Sequence, residues 1–210
     1  DAMFVLARLA LHELAEHPRY AAIQHVFDQA TLALTEGQFL DLLFESRTDV
    51  TLEDYLRMIG GKTGALISAA THIGALVGTA NATAHLALAC FGLDAGYAFQ
   101  IADDILGIWG DPAVTGKSAA GDILSKKKSL PALYGLVHSA GLRELYSKPV
   151  LTADDVPAAL EYLSRVGARE YASRQADDYF RQALAALNPL PLERTQDLRA
   201  LALTMVNRSK

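Results

Sequence analysis

Apolar positions recur along this chain at three- and four-residue intervals from one end to the other, and no window sustains the two-residue alternation of a half-buried strand. The pattern predicts an all-α protein. Residues 2–16 read as a first helix, stopped near Pro18, and residues 20–45 as a second. Thr51, with Asp54 three residues on, has the spacing of a capping box and opens a third helix that runs toward Thr79. Residues 63–93 contain no Asp, Glu, Lys or Arg. That length could span a bilayer, but Gly74, Gly78, Asn81, Thr83 and His85 interrupt it, whereas a spanning helix is apolar throughout. The expectation is no membrane span, but two helices buried in protein with a break near Ala80 and Asn81.

A helix carrying Asp103 and Asp104 is expected to follow Gly92 and to end where Gly110, Asp111 and Pro112 collect. Residues 113–129 are rich in Gly and Lys and too long for a minimal connector, which marks a candidate functional loop. Helices over residues 130–138, 152–164, 167–187 and 192–206 read as scaffold. Ala176, Phe180, Ala183 and Leu187 form one apolar stripe there, and Thr152 with Asp155 repeats the capping pattern. Without repeat or linker, residues 1–210 read as one domain. Its first eleven residues are already apolar-periodic and lack a cap, so the chain reads as entered part-way through a fold whose upstream helices are missing.

Composition narrows the function. A net charge of -5 argues against a nucleic-acid partner, which calls for a basic face or stripe. The single cysteine, Cys90, excludes an internal disulfide and a cysteine-based zinc site and suits a reducing cytoplasm; set in HLALACF, it is expected to be buried.

The chemistry concentrates in FQIADDILGIWGD, residues 99–111, where two adjacent carboxylates stand in an apolar helical segment. Two like charges about 4 Å apart at an effective dielectric of about 20 repel by roughly 4 kcal/mol, so an ionised pair in a half-buried setting needs a cation. Phe99, Gln100 and Asp103 share one helix face, and Asp104 lies one turn beyond Gln100. Oxygen ligands of this kind suit Mg2+, which takes one or two carboxylates together with substrate phosphates. Elsewhere stand Gln38 and Asp41 in GQFLD, Lys62 and Thr63 in GGKTG, Lys117, Asp122, and the lysines at 126–128. Lysines and a metal ion together can neutralise a diphosphate leaving group. Gln38 and Asp41 read equally well as a hydrogen-bonding pair between helices, and Trp109 as a packing residue beneath the loop.

In order and spacing, GQFLD, GGKTG, GYAFQIADDILGIWGDPAVTGK and GDILSKKKSLP resemble the trans-isoprenyl diphosphate synthases, the head-to-tail prenyltransferases that include farnesyl and geranylgeranyl diphosphate synthases. The resemblance implies an isoprenoid-synthase-like helical bundle around a central cavity, a homodimer, and two substrates, an allylic prenyl diphosphate and isopentenyl diphosphate. It implies that Asp103 and Asp104 hold Mg2+ and that Lys62, Lys117 and Lys127 contact phosphates. Thr63 and Gln100 would line the reacting centre, Phe99 would pack beside the isopentenyl group, and Gln38 with Asp41 would face the same cavity. Of the three lysines at 126–128, Lys127 alone matches the motif, and the other two are left to solvent.

Two departures from the family stand out. Its second acidic motif is DDxxD, and the last position here is Gly107. Its first acidic motif lies upstream of the position matched by Asp1, so these 210 residues are not expected to complete a turnover alone. A non-catalytic subunit that binds diphosphate or tunes product length is one alternative, and a terpene cyclase using a single substrate is another.

Overall fold

The computed structural model describes residues 2–110 and 121–206, and every regular element among them is helical. Helix α1 is Ala2–Leu11, followed by a 3-10 turn at His12–Leu14, and α2 is Tyr20–Ser46. Helix α3 is Leu52–Ile59, and its capping box forms as expected: the Thr51 hydroxyl accepts from the Asp54 amide, and the Asp54 carboxylate accepts from the Thr51 amide at 3.0 Å. Helix α4 is Ala65–Gly78 and α5 is Ala82–Trp109. Beyond residue 120 come α6 at Gly121–Leu124, α7 at Leu130–His138, α8 at Ala140–Ser147, α9 at Val156–Arg165, α10 at Ala168–Ala186 and α11 at Leu192–Val206.

The centre of the bundle is α5. Helices α4 and α10 pack along it, while Ile101 and Ile105 of α5 enter a core with Phe44, Tyr55, Met58, Ile59, Leu130 and Leu133. Close packing of this kind requires small residues where backbones meet. At Gly96 of α5 a β-carbon would lie 2.6 Å from the Cα of Gly64, so only glycine permits that crossing. This accounts for one difference from expectation. The helix bearing the acidic pair does not begin after Gly92 but runs unbroken from Ala82. Gly92 is an interior contact: a β-carbon there would lie 2.6 Å from the Cα of Ser68.

Other differences are local. Between α3 and α4, Gly60–Gly64 forms a single π-helical turn, so the helix opened by Thr51 runs on to Gly78 as expected but is locally widened at GGKTG. Helix α8 was not expected, and the segment 113–129 contains the short α6. Cys90 is exposed, because HLALACF places it on the outer side of α5. Trp109 packs between two core clusters with the Arg169 guanidinium 5.9 Å from its ring centroid. No helix among the described residues is long and apolar enough to cross a membrane.

Candidate active site

Asp104, on the buried side of α5, is 1% exposed and accepts four hydrogen bonds from the described residues. Its Oδ2 receives the Tyr55 hydroxyl of α3 at 2.8 Å and the backbone N–H of Leu130, the first residue of α7, at 3.3 Å. Its Oδ1 receives the Lys127 ammonium at 2.9 Å and the Gln100 amide at 3.2 Å. Gln100 in turn accepts from the Thr63 hydroxyl at 2.5 Å, and Lys127 also reaches the Asp122 carboxylate at 3.3 Å. One continuous polar chain therefore runs Thr63, Gln100, Asp104, Lys127, Asp122 through an otherwise apolar interior. Beside it, Lys62 donates to Asp41 at 2.5 Å, with both side chains mostly buried.

Local sequence explains this convergence. The π turn at Gly60–Gly64 puts Lys62 and Thr63 on consecutive positions, and α2 passes so closely that a β-carbon on Gly37 would lie 2.2 Å from the Lys62 backbone nitrogen. One turn of α5 separates Gln100 from Asp104. Lys126 takes a left-handed backbone, φ 54°, between α6 and α7. Lys127 then reaches Asp104, while Lys128 is 6% exposed and donates to the carbonyls of Glu45 and Lys126. Lys128 is thus not left to solvent as expected.

The electrostatics favour a permanently charged Lys127. Burial lowers its pKa, but Asp104, then Asp122, outweigh that cost and hold the ammonium well above the ordinary lysine range; Asp41 acts in the same direction. Asp122 is pushed up by burial, with Lys127 opposing. A carboxyl with a raised pKa binds more protons folded than unfolded, so Asp122 penalises stability as pH rises above about 3.9, the ordinary aspartate value, through its folded pKa. Stability of the Asp122→Asn variant, measured by denaturant titration, is expected to lose that downward slope with pH.

Gly107 explains how Asp122 fits. A β-carbon at 107 would lie 2.2 Å from the Asp122 Oδ2, so the Asp122 carboxylate sits where a side chain at 107 would begin. Restoring the acidic residue with Gly107→Asp is therefore expected to displace Asp122 and weaken diphosphate binding about tenfold, measured by calorimetry with Mg2+ present.

The structure brings Lys62, Thr63, Gln100, Asp104 and Lys127 together. Phe99 and Asp103 lie half-buried on the adjacent surface of α5, Gln38 is exposed on α2, and Lys117 falls outside the described residues. Asp104, expected beside Asp103 as a metal ligand, is buried, and protein donors serve both of its oxygens. Among the described residues no group of three or more His, Cys, Asp or Glu is placed to hold an ion. Tyr55 was missed by sequence reading, although its place on the apolar side of an amphipathic eight-residue helix was legible.

Among the described residues, then, an all-helical bundle brings a lysine and carboxylates together on the C-terminal third of its central helix. A sequence profile of the polyprenyl synthetase family matches residues 1–163, and the chain belongs to that family. It is 36% identical over 225 residues to the (2E,6E)-farnesyl diphosphate synthase of Mycobacterium bovis, covering 99% of this chain and 63% of that protein. It is 42% identical over 176 residues to a geranylgeranyl diphosphate synthase of Mycobacterium tuberculosis, covering 81% of this chain and 50% of that protein. The crystal structure of polyprenyl synthetase from Streptomyces coelicolor superposes with a TM-score of 0.87 at 34% identity, over 98% of this chain and 64% of that one. That of a Caulobacter crescentus polyprenyl synthase, complexed with calcium and isoprenyl diphosphate, gives 0.83 at 28% identity, over 95% and 62%. The chain spans less than two thirds of the length of these relatives.

Proposed function

We propose that this chain supplies the diphosphate-binding part of a head-to-tail prenyltransferase that joins isopentenyl diphosphate to an allylic prenyl diphosphate and yields a longer all-trans product, farnesyl or geranylgeranyl diphosphate. The observation that carries this reading is Lys127, kept charged between Asp104 and Asp122 at the end of an unbroken polar chain from Thr63. Lys127 and Lys62 would bind phosphate oxygens of the allylic substrate, with Lys117 from the neighbouring motif. Mg2+, held by Asp103 and the phosphates, would offset the charge that develops on the departing diphosphate. As the allylic carbon–oxygen bond breaks, the carbocation would face Thr63 and Gln100, whose polar atoms are tied to each other. Phe99 would lie beside the isopentenyl group. Attack by the isopentenyl double bond would form the new carbon–carbon bond and leave the cation on the isopentenyl unit, and loss of a proton from the adjacent carbon to the departed diphosphate would form the new double bond.

The chain's apolar surface supports a homodimer. Helix α1 has no buried residue, and Met3, Val5, Leu6 and Leu9 are each more than half exposed. On α2, Leu32, Phe39 and Leu42 extend the exposed apolar area at helical spacing. Exposed apolar residues at helical spacing are the kind of surface that associates, and two-fold assembly is the commonest way to cover one. We place the protein in the cytoplasm, in keeping with its single cysteine.

The test is incubation with isopentenyl diphosphate, an allylic diphosphate and Mg2+, followed by product analysis. A longer linear prenyl diphosphate supports the synthase. Cyclic hydrocarbon formed without isopentenyl diphosphate would establish a cyclase instead, and diphosphate binding without turnover, in protein that carries the upstream acidic motif, a non-catalytic subunit. Lys127→Ala is expected to weaken diphosphate binding roughly 10- to 100-fold, because a charge-assisted contact worth about 1.5–3 kcal/mol is lost. Stability should fall as well, because Asp104 is left buried without its cation, although three donors remain on it, so affinity is read on the folded fraction.

A further inference from the structure

We infer that Tyr55 and Asp104 are positioning residues for Lys127, setting the ammonium in its phosphate-binding place without themselves touching substrate or metal. The inference rests on the diphosphate reading above. Tyr55 is fully buried in α3, forty-nine positions from Asp104, and its hydroxyl donates to one carboxylate oxygen while Lys127 occupies the other. A carboxylate fixed at one oxygen from α3 and at the other from α5 has a fixed orientation, and the lysine that pairs with it inherits that orientation.

The same carboxylate also starts α7. The N-cap residue of that helix is Ser129, whose hydroxyl makes no side-chain cap and is buried without a hydrogen-bond partner. Asp104 supplies the missing acceptor from another helix, through the Leu130 N–H. Lys127 stands only three residues before Leu130, so Asp104 pins both ends of the segment 127–130. Burial keeps the Tyr55 hydroxyl protonated far above its ordinary range, and the neighbouring Asp104 charge acts the same way, so the donor is permanent.

The experiment compares wild type, Tyr55→Phe, Asp104→Asn and Asp103→Asn, reading two quantities by calorimetry. The first is the affinity for inorganic diphosphate at saturating Mg2+. The second is the Mg2+ concentration that half-saturates binding at fixed diphosphate. Circular dichroism establishes that each variant is folded. Tyr55→Phe keeps the shape of the ring and removes one donor; it should weaken diphosphate binding about five- to tenfold and leave the Mg2+ midpoint within about twofold. Asp104→Asn should behave alike, whereas Asp103→Asn should shift the Mg2+ midpoint. A residue of purely structural importance would lower the unfolding midpoint and leave the affinity of the folded protein unchanged. Wild-type affinity in Tyr55→Phe would overturn the inference, as would a shift of the Mg2+ midpoint in Asp104→Asn as large as in Asp103→Asn. Absence of diphosphate binding in the wild type would instead sink the functional reading beneath it.

Discussion

In protein that carries the upstream acidic motif, turnover is expected to fall by about a thousandfold or more in Asp103→Ala, with the helical circular dichroism signal intact. Asp103 is half-buried inside α5, about two turns from its C-terminal end, where alanine is the most favourable helix former, so the substitution costs the backbone nothing. What it removes is the side chain proposed to share Mg2+ with the substrate phosphates. Metal stabilisation of a departing phosphoryl oxygen contributes several kcal/mol to the transition state, and about 4 kcal/mol corresponds to roughly a thousandfold in rate. The neighbouring substitution provides the contrast. Asp104→Ala would leave Lys127 without its nearest anion and Tyr55, Gln100 and Leu130 without an acceptor; breaking a buried pair in that way costs about 3–5 kcal/mol of stability. Two adjacent aspartates should therefore fail differently, one in catalysis and the other in folding. Near-normal steady-state turnover in Asp103→Ala would remove the metal assignment.

That contrast marks where the sequence was legible and where it was not. The capping boxes at Thr51 and Thr152 form as their spacing implies, because they depend on residues three apart. Residues 130–138 form the expected helix within its expected bounds, with Pro131 in its first turn. That Asp104 is buried and Asp103 only half-buried could not be read this way. Consecutive helical residues point about 100° apart, so one of the pair can face the core while the other faces the site, and only tertiary packing decides which. The π turn was hidden for a similar reason. GGKTG is compatible with a loop, a helix or a bulge, and the close passage of α2 at Gly37 selects among them. Gly92 misled in the opposite direction: read locally as a helix boundary, it is a contact with Ser68 and Thr71 that no local pattern records. Tyr55 belongs with these, since its partner is forty-nine residues away.

Gly37→Ala is expected to destabilise the protein by about 2–3 kcal/mol, although alanine improves helix propensity by roughly 1 kcal/mol over glycine. The added β-carbon would sit 2.2 Å from the Lys62 nitrogen and 2.8 Å from both the Gly61 carbonyl carbon and the Lys62 Cα. All three are backbone atoms, so no side-chain rotation relieves the overlap, and α2 must move away from the π turn. Overpacking of this kind costs about 1–3 kcal/mol, occasionally more, and the rigid neighbours place this site at the upper end. For a domain of this size that corresponds to a fall of roughly 5–10 °C in the thermal midpoint, measurable by calorimetry. Gly74→Ala provides the internal control. It makes the same chemical change inside α4, where a β-carbon would meet nothing within 4 Å, and should be neutral or stabilising by up to about 1 kcal/mol. The displacement in Gly37→Ala has a functional arm as well. Asp41 is one turn along α2 from Gly37 and Lys62 is its partner across the same contact, so separating the two elements lengthens the 2.5 Å ion pair and tilts Thr63 away from Gln100. Diphosphate affinity should therefore drop in the folded variant, measured well below its midpoint. An unchanged affinity together with the expected loss of stability would mean that Lys62 and Thr63 do not depend on α2 for their placement.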